Sequence, residues 1–174
     1  MQRPDSDPTD PRRHVVALLD HFFHQGPNGV HLCLVLELKG PSVSAMLNQT
    51  PRPKYQAGVP HKYPLRVAQK ILVQTLQGLR FLHQNGIVHS DPNPGNILWT
   101  VPSLSGAKGD NDLIQDSTKS SPVKRKDGLE DPWAPRYIML PQPLMEHVEM
   151  DHGTLKIADL GNGKNTTMTV YSVG

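Results

Sequence analysis

An α+β fold is what this sequence predicts, and three observations carry it. Two apolar, β-rich runs, 14–23 and 30–38, flank Gly26-Pro27-Asn28-Gly29, the pattern of a β-hairpin. A stretch of about 20 residues from Pro64 repeats apolar residues at three-to-four spacing, the period of an amphipathic helix. Short apolar runs at 87–88, 97–99 and 154–158 supply further strands.

Taken in order, residues 1–13 hold three prolines and several Asp, and read as an irregular lead-in. The hairpin follows, and Lys39-Gly40-Pro41 is expected to end its second strand. Ser42 is placed to cap a short helix reaching Leu47. The Pro-rich stretch 50–63 is a loop. The long helix then opens at Pro64 and stops before Gly86, the usual punctuation at each end. Its core face is expected to be Leu65, Ala68, Leu72, Thr75, Leu76, Leu79 and Leu82. Residues 102–136, rich in Ser, Gly, Lys and Asp, read as a flexible insert, with 136–144 partly ordered. A last strand, 154–158, runs into Asp159-Leu160-Gly161. The domain reading is a lead-in, 1–13, followed by one partial domain, 14–174.

Composition narrows the function classes. With 174 residues, 36% of them hydrophobic, the chain is long enough for one cored domain, and 17 Pro and 14 Gly make it loop-heavy. A net charge of +2 gives no argument for nucleic acid or an anionic membrane as partner. Cys33 is the single cysteine, so no internal disulfide forms, and its apolar neighbours suggest a buried thiol. The polar start lacks a signal-peptide core and no segment has the apolar length to span a bilayer. A cytosolic or nuclear protein is expected. The histidines lack zinc-like spacing, and Lys124-Arg125-Lys126 reads as a solvated charge run before it reads as an import signal.

The chemistry lies in His89-Ser90-Asp91-Pro92-Asn93-Pro94-Gly95-Asn96 and, much later, Asp159-Leu160-Gly161. An Asp and an Asn on one rigid loop, joined by a second Asp after an apolar strand, offer the oxygen ligands that Mg²⁺ prefers. Phosphoryl transfer needs that metal held against the phosphates and a carboxylate to take the acceptor hydroxyl's proton. Asp91 is the candidate proton acceptor, and Asn96 and Asp159 are the candidate metal ligands. Gly161-Asn162-Gly163-Lys164 is not a phosphate loop, since Ala158 and Asn165 stand where Gly and a hydroxyl residue are needed.

These segments resemble the protein kinases with their catalytic loop and metal-binding triplet, and most of all the SR-protein kinase family of fungal type. The resemblance rests on Ser90 after the loop His, on Leu160 in the triplet and on a long spacer between the two, and covers 14–100 and 153–163. It implies a partial protein-kinase-like fold: a remnant N-lobe hairpin plus hinge, a central C-lobe helix, the catalytic loop and the triplet. It implies ATP and Mg²⁺ as cofactors and Ser/Arg-rich proteins as substrates, with neither direct nucleic-acid binding nor a membrane. Leu36 would be the gatekeeper, Glu37 and Lys39 the hinge residues at the adenine edge, and Leu98 the floor under the ring. His89 and Leu160 would stack in an apolar column. The family has Lys where this chain has Asn93, a position that balances charge on the transferring phosphate. The Gly-rich loop, strand Lys and activation segment are also not found, so a chain truncated at both ends and nearly inactive alone is expected. The rival readings are a non-catalytic pseudokinase interaction module and an incomplete gene product.

Overall fold

The computed structural model describes residues 10–26, 29–49, 62–101, 116, 118–129, 134–141, 144–145, 148–161 and 163–165. The expected turn residues Pro27 and Asn28, most of the Pro-rich loop, the insert at 102–115 and the tail from 166 lie outside them. The elements are β1 (Leu18–Gly26), β2 (Gly29–Leu36), β3 (Lys39–Ser42), α1 (Val43–Gln49), α2 (Leu65–Gln84), β4 (Ile87–Val88), β5 (Ile97–Thr100), β6 (Ser120–Pro122), β7 (Tyr137–Met139), β8 (Leu155–Ile157) and β9 (Lys164–Asn165). The fold is α+β with small antiparallel sheets.

The chain forms two compact units, Met1–Ala17 with Glu37–Pro102 and Leu144–Gly174 in one, and Leu18–Leu36 with Ser103–Pro143 in the other. In the second unit β1 and β2 pair antiparallel from Leu18↔Leu36 to Gly26↔Gly29. Ser120–Pro122, inside the stretch expected as an insert, pairs with Tyr137–Met139.

The first unit carries the chemistry. Its sheet has the order β3-β5-β8, antiparallel throughout. Alternation puts Leu155 and Ile157 on the face toward α2 and Lys156 on the opposite face, beside its register partner Leu98. Val43, Met46, Val67, Ile71, Ile97, Trp99 and Leu155 form one buried cluster between α1, α2 and the sheet. Lys39-Gly40-Pro41 does not end a strand but belongs to β3, because Lys39 and Ser42 find partners in Thr100 and Leu98. Ser42 caps α1 as expected, its Oγ accepting the Ala45 N–H at 3.1 Å.

Two further sequence expectations differ from the structure. The hairpin begins at Leu18 rather than at His14, because the preceding residues are taken by β8. Pro11–His14 form a 3₁₀ turn. Then Arg13 reaches Thr154 Oγ1 (3.1 Å), His14 Nδ1 donates to Leu155 O (3.0 Å) and the Val16 N–H donates to Ile157 O (2.9 Å). Val15 bridges Ile157 in parallel.

The buried face of α2 is the second of these. Val67, Ile71, Gly78 and Leu82 face the core, whereas Leu65, Leu72 and Leu76 are exposed. The helix is apolar on two sides, and polar contacts choose between them. Lys70 Nζ donates to the carbonyls of Met150 (3.3 Å), Asp151 and Gly153 (3.2 Å), and Gln74 Oε1 accepts the Leu155 N–H at 2.7 Å. A leucine count favours the wrong stripe, since the inward positions other than Leu82 are β-branched, small or polar.

Candidate functional site

The catalytic-loop candidates converge. His89 is buried, and its Nε2 donates to Ala158 O at 2.9 Å while Nδ1 faces the Asp91 N–H at 3.3 Å. Asn96 Nδ2 donates to the Asp91 carbonyl (3.1 Å) and carboxylate (3.3 Å). The Ala158 N–H in turn donates to Asn96 O at 2.8 Å. Ala158 is thus held from both sides, by His89 and by Asn96, and the next residue is Asp159. The loop and the triplet meet through backbone, which fixes where both carboxylates leave the chain.

Ser90 and Asp159 are the non-glycine residues with positive φ among the described residues, at 70° and 62°. That region costs an L-residue about 1 kcal/mol, and Asp tolerates it better than most. Each lies at one of the two chemical segments, Ser90 immediately before Asp91. Asp159 is exposed, with Oδ1 turned toward the Gly161 N–H at 3.4 Å.

This donor set fits a hard cation. Asn96 spends its amide NH₂ on Asp91, so its carbonyl oxygen is the atom it could offer a cation, and Asp159 could add a carboxylate. Among the described residues no three His, Cys, Asp or Glu side chains form a metal-sized cluster. Mg²⁺ needs no such cluster, since it takes one or two protein oxygens and fills the rest from water and phosphate.

Asn93 is committed to the loop. Its Oδ1 accepts the Gly95 N–H at 2.8 Å and its Nδ2 lies 3.4 Å from Asp91 O, an Asx turn that braces the loop from inside. It carries no charge to offer a phosphate. Leu160, expected in a buried column with His89, is 37% exposed.

The remaining candidates are Leu98, Leu36, Glu37 and Lys39. Leu98 is half-buried on the face opposite α2. Leu36 ends β2 opposite Leu18 and is half exposed. The Glu37 N–H donates to Ala17 O (3.1 Å), so an edge contact from this residue would use its carbonyl. Its carboxylate accepts the Ala17 N–H (2.8 Å), Lys156 Nζ (2.8 and 3.0 Å) and Lys39 Nζ (2.9 Å). Lys156 has a fully buried side chain and was not among the sequence candidates. The available signal was a lone Lys inside an apolar strand and a lone Glu inside an apolar run.

Burial alone would raise the Glu37 carboxyl, but the Lys156 and Lys39 ammoniums and the Ala17 N–H outweigh it and hold it below its ordinary value of 4.5. A carboxyl depressed in the folded state contributes stability above the unfolded pKa, and that contribution is lost as pH falls through the folded value. Urea midpoints should therefore fall as the buffer is taken below about pH 4.5. Glu37→Gln should flatten that part of the profile, and an unchanged slope would remove Glu37 from the account.

No protein-family model matches the chain. Individual proteins do. It is 30% identical over 134 residues to the serine/threonine-protein kinase SKY1 of Saccharomyces cerevisiae, covering 70% of this chain and 17% of that one. It is 40% identical over 99 residues to human SRSF protein kinase 3, covering 56% and 16%. This chain belongs to the SR-protein kinase family. It is also 29% identical over 167 residues to the serine/threonine-protein kinase SRPK of Physarum polycephalum, covering 84% of this chain and 34% of that one. The chain spans about a sixth of the length of the yeast and human relatives, and its α+β fold with small antiparallel sheets agrees with a partial protein-kinase-like fold. No helix among the described residues is long and apolar enough to cross a membrane.

Proposed function

We propose that this chain carries the catalytic-loop part of an SR-protein kinase site, binding ATP with Mg²⁺ and acting on serine in Ser/Arg-rich proteins. The observation that carries this reading is the junction at Ala158, where His89 and Asn96 hold the residue before Asp159 against the Asp91 loop. On this reading the Leu18–Leu36 hairpin is N-lobe, Glu37 and Lys39 form the hinge and α2 is the central C-lobe helix. Asp91 orients the serine hydroxyl and accepts its proton as that oxygen bonds the γ-phosphorus and the bond to the ADP oxygen breaks. Asn96 and Asp159 are the ligands for Mg²⁺, which supplies charge neutralisation on the phosphates when bound.

Asn93 makes transfer slow. A neutral amide, already spent on Gly95 and Asp91, leaves the developing phosphate charge without its usual cation. With an Arg/Ser-repeat peptide and radiolabelled ATP, the unsubstituted chain should show barely measurable transfer. Asn93→Lys should raise it by a factor on the order of 100 to 1000, the scale of one charge-stabilising group at a reacting centre. Asp91→Ala should abolish the gain. Loss of that Asn93→Lys effect, with Mg-ATP still bound, favours the second reading, a non-catalytic pseudokinase module, for which the inward-turned Asn93 amide already argues.

A further inference from the structure

We infer that Glu37 and Lys156 are positioning residues that tie the adenine-side backbone to the strand delivering Asp159. The pair joins three segments that are far apart in sequence. Glu37 grips Ala17 twice, through its own N–H and through its carboxylate, and so closes the chain on either side of the hairpin. The same carboxylate takes Lys156 Nζ at 2.8 and 3.0 Å from the middle of β8. Asp159 lies three residues beyond Lys156, with β8 held between β5 and the 13–17 segment.

The location of the pair matters as much as its strength. Lys156 points to the sheet face opposite α2, the face that holds Leu98, and Leu98 is its register neighbour. The ion pair therefore lies beside the proposed adenine floor, beneath the backbone proposed for the adenine edge. Drawing the fully buried Lys156 ammonium away from the Glu37 carboxylate is strongly disfavoured, because that carboxylate offsets its charge inside the protein. Movement of the 37–39 backbone and movement of β8 are thereby coupled. The clamp stands on these contacts alone; its effect on nucleotide rests on the function proposed above.

Two readouts on the full chain test this: amide hydrogen exchange, and titration of ATP with and without Mg²⁺. In Glu37→Gln and in Lys156→Met, exchange at Ala17 and at Ala158 should accelerate together, by about tenfold or more. The double variant should go no further than the stronger single, the mark of one shared interaction. Mg²⁺-dependent ATP affinity should fall by about 5-fold or more, the lower end of ordinary site-to-site coupling, and Lys156→Arg should restore both readouts. If Lys156→Met does not fold, Glu37→Gln decides alone, because it keeps an acceptor for the Ala17 N–H. Acceleration confined to Ala17, with Ala158 unchanged, would overturn the inference, as would additive effects in the double variant. If the unsubstituted chain binds no ATP, the proposed function fails and the exchange measurements still decide the clamp.

Discussion

Trp99→Ala is expected to cost about 3–5 kcal/mol of folding stability, the range for emptying a large aromatic site in a packed core. Trp99 is 0% exposed and lies in β5, between the Asn96 loop and the Thr100 pairing with β3. It belongs to the buried cluster with Val67, Ile71 and Leu155, so α2 and β8 both lose a packing surface. Gly153 approaches the ring so closely that an added Cβ would stand 3.2 Å from Cε3, leaving little slack for collapse into the cavity. Urea unfolding of the two proteins measures the difference. A cost below about 0.5 kcal/mol, the level of an ordinary surface change, would mean that this cluster is not the core.

Gly78→Ala should destabilise by about 2–3 kcal/mol through overpacking, although the same change on an exposed helix stabilises by about 1 kcal/mol. The sign reverses because a Cβ at Gly78 would stand 2.5 Å from His14 O and 2.9 Å from Ile157 Cδ1. The first neighbour is backbone and cannot rotate away, so the 13–17 segment would have to leave β8. Ala17 would be displaced with it, and the Glu37 grip loosened. Gln77→Ala, one position along on the exposed side of α2, is the control and should be close to neutral. Equal behaviour of the two variants would contradict the close approach of α2 to the 3₁₀ turn.

What the sequence made legible was local. The period of α2 and the pairing of the two apolar runs up to Gly26 and Gly29 depend on neighbours a few residues apart, and the helix and the paired strands both appear in the structure. Asp91 and Asn96 could be paired on paper because they share one loop, and the structure joins them by hydrogen bonds. The inward stripe of α2 was not legible, since both sides are apolar and the choice depends on Lys70 and Gln74 meeting backbone some 80 residues away. For the same reason His14 and Val15 looked like the start of the hairpin's first strand. Glu37 and Lys156 are separated by 119 positions; Glu37 was expected only at the adenine edge, and nothing marks Lys156 until Glu37 is placed against it. Asp159 was legible from its place before Gly161 at the end of an apolar run, and the resemblance to a kinase family added the triplet to that reading.

Asp159 is the proposed ligand on which a metal-bound nucleotide depends most directly. Isothermal titration of the full chain with ATP, run with Mg²⁺ and with EDTA, measures this. The expected result is saturable binding that requires Mg²⁺ in the unsubstituted chain and is lost in Asp159→Ala, with urea midpoints showing both proteins folded. Binding that is unchanged by EDTA or by Asp159→Ala, or a folded chain that binds no ATP, would contradict it.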